Sequence, residues 1–164
     1  MRIRPELPSD APAIAALIGS AFADAEHSDG NEAAIVEGLR EGGALAVSLV
    51  AVEDGGIIGH VAFSPVRIEG HDAGWFGLGP VAVEPQRQRC GIGESLINDG
   101  LTRLHALGAH GCVVLGDPAY YGRFGFVFDD RLRYPGPPAQ YFQALVLAGP
   151  IPTGNVSYHP AFDG

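Results

Sequence analysis

Between Leu78 and Gly93 the chain reads LGPVAVEPQRQRCGIG, and few folds accommodate that order. Val81 to Val83 predicts a buried strand, Pro85 stops it, a basic polar turn follows, and Gly91-Ile92-Gly93 opens a helix. A strand that runs through a glycine turn into a helix start builds an anion site. The N–H groups of the first turn have no intrahelical acceptor, and the helix dipole favours negative charge there. Arg87 and Arg89 add positive charge beside it. The stretch therefore predicts a turn that holds a phosphorylated cofactor.

The flanking sequence supplies the rest of the fold. Arg2–Arg4 predicts a short first strand. Ser9-Asp10 offers N-caps for a helix from about Asp10 to Ala23, with Ile14, Leu17, Ile18 and Phe22 at helical spacing. Ala25 to Gly30 reads as a loop, and a second helix runs from about Asn31 to Arg40 until Gly42-Gly43 stops it. Ala44–Val52 is a continuous apolar run, which suits a strand covered on both faces. Turns at Asp54-Gly55-Gly56 and Glu69-Gly70-His71-Asp72 separate it from strands at Ile57–Ile68 and Gly74–Val83, giving an antiparallel meander. Gly91–Leu107 is helical, and Cys112–Leu115 is a short apolar strand, so residues 78–115 form a β–α–β unit with the right-handed crossover such units take. A short helix at Ala119–Phe124, a strand at Phe126–Phe128, an irregular loop at Asp129–Pro138 and a last strand at Gln140–Leu147 complete a core of residues 2–147. Residues 149–164 read as a tail of little periodicity. The fold class is α+β, a single domain over residues 1–164.

Composition narrows the function. A formal net charge of −9 argues against a nucleic-acid partner, whose electrostatic footprint is basic. No run approaches the roughly 18 apolar residues of a membrane span, and the N-terminus lacks a signal-peptide pattern, so a cytoplasmic protein is expected. Cys90 and Cys112 are too few for a disulfide framework and read as reduced thiols. The six histidines are scattered, and His105 and His110 miss the i, i+4 spacing of a helical metal pair, so no metal site is expected.

The segment Gln88-Arg89-Cys90-Gly91-Ile92-Gly93 resembles the (Gln/Arg)-x-x-Gly-x-(Gly/Ala) motif of the GCN5-related N-acetyltransferases (GNAT), which bind acetyl-coenzyme A. LGPVAVEP is similar to the strand that precedes this motif in the family. Tyr120-Tyr121-Gly122-Arg123-Phe124-Gly125-Phe126 resembles the family's aromatic-Tyr-x-x-x-Gly-Phe run, and GHVAFSPV and VLGDPAYYGRFGF are similar to one bacterial branch. The resemblance implies a three-layer α/β/α domain. Its central sheet is mixed and mostly antiparallel, with a splayed parallel pair between the fourth and fifth strands.

The resemblance also implies acetyl-CoA as cosubstrate, with Gln88, Arg89, Cys90, Gly91, Ile92, Gly93 and Glu94 around its pyrophosphate and the main chain of Val81 and Val83 pairing with its pantetheine arm. Ala82 takes the opposite register, and Glu94 is expected to face solvent because its carboxylate would repel a pyrophosphate. Tyr121 aligns with the family's general acid. His60, an imidazole and so a residue type able to take up a proton near neutrality, is the base candidate, beside Glu84, Asp117 or a water chain. Glu26, His27 and Glu32 lie where the family shapes its acceptor site. The implied activity is acetyl transfer to a primary amine, on a small molecule or peptide, by direct attack in a ternary complex, in a monomer or homodimer. A non-catalytic acyl-CoA-binding sensor or interaction module is the alternative, and a free-nucleotide site is a third reading.

Overall fold

The computed structural model describes residues 1–23, 28 and 30–163. The chain order is β1 (Arg2–Pro5), α1 (Ala11–Phe22), α2 (Glu32–Glu41), β2 (Val47–Glu53), β3 (Gly56–Ile68), β4 (His71–Val83), α3 (Ile92–Ala106), β5 (Gly111–Leu115), α4 (Pro118–Tyr121), β6 (Val127–Phe128), β7 (Leu132–Arg133), β8 (Phe142–Val146) and β9 (Gly154–Ser157). Both hairpin turns of the meander are tight. Asp54-Gly55 and Glu69-Gly70 have φ of 53° and 79°, and 52° and 75°. Positive φ at both central residues is the geometry whose twist matches the flanking strands.

The sheet runs β1-β2-β3-β4-β5-β8-β6. All neighbouring pairs along this path are antiparallel except β4 and β5, which are parallel and joined by α3. On one face Leu96, Ile97 and Leu104 of α3 pack on Leu49, Val61 and Phe63. On the other, Ile14, Leu17 and Ile18 of α1 and Val36 of α2 cover Val50 and Ala82. Each of the Leu, Ile, Val and Phe side chains contributes about 1.5–3 kcal/mol on burial. Helices on both sides of a mixed sheet give the expected three layers.

Two irregularities in β4 open the sheet near its middle. Leu78 pairs with Phe63 but Val81 pairs with Val61, so Gly79 and Pro80 together stand opposite Ala62. This is a β-bulge, a device common beside active sites. β4 pairs with β5 only at Trp75, Phe76 and Gly77, although β4 continues to Val83. The two strands part beyond Gly77, and among the described residues no strand pairs with the β5 side of residues 81–83.

The structure departs from the sequence reading at both ends. Asp10 precedes α1 but makes no side-chain cap. Its carboxylate instead accepts from Arg4 at 2.7 Å and from the Leu7 N–H at 2.7 Å, because a charged partner outcompetes a weak cap. Phe142–Val146 is not the last strand. The tail forms β9, which pairs with Arg67 and Ile68 of β3 and with β7, and β7 itself lies in the stretch expected to be irregular. Val156 joins Trp75, Val113 and Phe142 in a third buried cluster. Glu26 and His27 lie outside the described residues. Among the described residues no helix is long and apolar enough to cross a membrane.

Candidate active site

The anion turn is built as the sequence requires. After Pro85–Arg87, Arg89 and Gly91 both take left-handed φ, 65° and 82°. Gly91 is the N-cap of α3. The first bond back into the helix runs from the Ser95 N–H to the Gly91 carbonyl at 3.0 Å, which leaves the N–H groups of Ile92, Gly93 and Glu94 without intrahelical acceptors. These groups border a cavity of about 330 Å³ lined also by Gln88, Arg89, Tyr120 and Arg123. A Cβ on Gly93 would stand 3.4 Å from Tyr120 Oη and 3.7 Å from Val83 Cγ2. With no side chain at Gly93, the first turn of α3 presents bare backbone to this cavity. Cys90 is exposed.

The charges of this turn are organised among themselves. Arg87 pairs with Glu53. The Arg123 guanidinium lies 4.4 Å from the centre of the Tyr120 ring, with Nη1 3.7 Å from Glu94. Glu94 thus borders the cavity with a side chain that is still 46% exposed, so it keeps the solvent access expected from sequence while facing a counter-ion. Arg123, from the stretch after α4, was not singled out from sequence.

Val81 and Val83 sit on the β4 segment beyond the bulge, their side chains packed toward the α3 side. Ala82 is buried under α1, as alternation demands. The Val83 carbonyl accepts from Gln88 Nε2 at 3.1 Å, so a side chain of the turn reaches back to the β4 main chain.

A second cavity, of about 350 Å³, opens along the same strand and reaches Val81, Leu115 and Tyr121. Tyr121 ends α4, which Asp117 caps by accepting from the Ala119 N–H at 2.9 Å. Its ring lies against Gly116, where a Cβ would come within 2.4 Å of Cε2. Phe126 meets it edge-on at 6.0 Å. Burial pushes the Tyr121 phenol up to about 12, so it is protonated across the neutral range. The opposite wall comes from the tail: Tyr158 and Phe162 line this cavity, with Phe22 and Glu32 from α1 and α2. The Tyr158 ring lies against Gly77, where a Cβ would come within 2.6 Å, and burial pushes its phenol up as well. Sequence reasoning passed over Tyr158 and Phe162. The available signal was the alternation of Val156 and Tyr158, which is the period of a strand.

His60 falls elsewhere. It is fully buried on the strand position between Val50 and Ala82, and it lines neither cavity. Its Nε2 is 2.8 Å from Ser48 Oγ, and Ser48 donates to Glu6. Since the serine has one proton, Nε2–H is the donor to Ser48. Arg40 completes the group, 2.9 Å from Glu6. Burial alone would raise the Glu6 pKa, but the nearby His60 imidazole, 3.7 Å away, and hydrogen bonds from Arg40 and Ser48 outweigh it and hold the carboxyl well below its usual range. The residue expected as a base belongs to this internal network. Cys112 is wholly buried, and burial pushes its thiol up, which removes it as a nucleophile. Among the described residues no group of three or more potential ligands could hold a metal.

The family model for the acetyltransferase (GNAT) domain matches residues 44–128, which span the meander, the anion turn, α3 and the tyrosine segment. The chain belongs to the GNAT family. YhbS, an uncharacterized N-acetyltransferase of Escherichia coli K12, is 43% identical to this GNAT enzyme over 99% of both chains. A GNAT acetyltransferase of Brucella melitensis, crystallised with acetyl-CoA, is 48% identical and superposes with a TM-score of 0.89 over 99% of this chain and 97% of its own. The structure of E. coli YhbS with CoA is 41% identical, with a TM-score of 0.90 over 99% and 92%. The mixed sheet with its parallel β4/β5 pair is the architecture this GNAT enzyme shares with them. The cradle at Gly91–Gly93 and the open edge of β4 fit a pyrophosphate and an extended amide arm.

Proposed function

We propose that this enzyme transfers the acetyl group of acetyl-CoA to a primary amine by direct attack. When bound, acetyl-CoA supplies the thioester. The free N–H groups at the start of α3 would hold its pyrophosphate, and the main chain of Val81 and Val83 would pair with its pantetheine arm as an added strand. Tyr121 carries the reading. It is a protonated phenol on the cavity wall beside Val81, one strand segment from the anion turn. Attack forms the C–N bond and breaks the C–S bond. The ammonium first gives one proton to water, since His60 is enclosed in its own network. As the C–S bond breaks, Tyr121 donates to the departing thiolate and recovers its proton from the second one that the attacking nitrogen loses. The burial of Cys112 supports transfer without an acyl-enzyme.

Release of free thiol from acetyl-CoA, measured with and without a panel of amines, tests this. Amine-dependent release is expected. Coenzyme A binding without release by any amine would instead favour the sensor or interaction module.

A further inference from the structure

The two cavities of the cleft differ in character. The one at the α3 N-terminus is bordered by arginines and free N–H groups. The one beyond Tyr121 is walled by apolar and aromatic side chains, with Phe22, Ile35, Leu115, Tyr158 and Phe162 among them. Glu32 is the charged side chain of this wall among the described residues. It is half-buried and held by the Ser28 hydroxyl, which donates to its carboxylate at 2.8 and 2.9 Å.

We infer that the acceptor is a primary amine carried on an apolar or aromatic body, with no carboxylate beside the nitrogen. This deepens the acetyl-transfer reading and rests on it. Three properties of the wall select such a molecule. Its aromatic faces replace water around an apolar body, which returns the hydrophobic free energy of that surface. Glu32 places one negative charge in a cavity of low polarity, where an ammonium is attracted and a carboxylate repelled more strongly than in water. The volume, about 350 Å³, lies at the lower end of small-molecule sites and is shared with the thioester beside Tyr121, so the body is a small molecule. The tail supplies half of the aromatic wall. Tyr158 is fixed against Gly77 and edge-on to Tyr134 at 5.2 Å, and Phe162 leans on Tyr158 at 5.1 Å.

The test compares 2-phenylethylamine with phenylalanine, which adds only the α-carboxylate, and with ethylamine, which lacks the aromatic body. The kcat/KM for 2-phenylethylamine is expected to exceed each by roughly tenfold or more, given the cost of like-charge juxtaposition and of a lost apolar contact. Glu32→Gln is expected to raise KM for 2-phenylethylamine and to narrow its lead over phenylalanine. Phe162→Ala is expected to narrow its lead over ethylamine. Each variant is first shown to bind coenzyme A as the wild type does. Equal or better turnover of phenylalanine or ethylamine would overturn the inference while acetyl transfer stands. So would a Glu32→Gln enzyme with unchanged discrimination. Calorimetric binding of the three amines to the coenzyme A complex separates the two readings: preferential binding of 2-phenylethylamine without turnover would overturn acetyl transfer and keep the acceptor class.

Discussion

The role proposed for Tyr121 rests on where its ring lies. Burial favours the neutral phenol, so its pKa in the fold, about 12, stands above the unfolded value of about 10. The proton is held through pH 10 and lost only as pH rises through about 12. In wild-type enzyme the rate is therefore expected to climb as the acceptor ammonium deprotonates and to show no fall from Tyr121 up to about pH 10. Tyr121→Phe is expected to lower kcat by roughly 100-fold, a typical loss for one proton-transfer group, with acetyl-CoA affinity nearly intact. A kcat equal to wild type would remove Tyr121 from the reaction. His60 shows the opposite case. Its residue type suits a base, but residue type does not say on which side of the sheet a strand side chain lies, and this one lies under α1 and α2.

The elements around the cleft are positioned by missing side chains. Gly93 leaves room over the first turn of α3, and Gly116 leaves room for the Tyr121 ring at the end of β5. Alanine at the two positions should separate binding from chemistry. Gly93→Ala is expected to raise KM for acetyl-CoA, by roughly tenfold if the added methyl displaces one charge-assisted hydrogen bond. Gly116→Ala is expected to lower kcat, because its Cβ would overlap Cε2 of Tyr121 at 2.4 Å. Gly19→Ala, in α1 with nothing within 4 Å, is the control, with both constants expected to stay at wild type. Steady-state kinetics on the three variants checks this. The turn and α3 were legible in sequence because their signals are local: a proline, two glycines and a helical period. The wall of the second cavity was not, because Tyr158 and Phe162 follow β9, whose pairing with β3 and β7 no local pattern announces.

At the scale of the whole molecule, one network ties the first strand to the second helix. Glu6 follows β1, Arg40 lies in α2, Ser48 in β2 and His60 in β3. Glu6→Gln is expected to cost about 1–3 kcal/mol, the range for leaving a buried charged partner unpaired, and to lower Tm by several degrees at this chain length. Because the Glu6 carboxyl is depressed in the fold, its contribution is present above the unfolded pKa of about 4.3 and lost as pH falls. The gap between wild type and variant in thermal melts should therefore narrow below about pH 4. The meander and the β–α–β unit were readable from turns and periodicity and the three layers from the family resemblance, whereas β7 and β9, short and paired at long range, were not. The parting of β4 from β5 has a consequence for folding itself. A strand that lacks a neighbour inside its own sheet leaves main-chain groups for solvent or a ligand to satisfy, and whatever completes that ladder binds the native state alone. Ligand occupancy and native population then rise together, so under the proposed pairing the cosubstrate would complete the fold before it acts as a reactant.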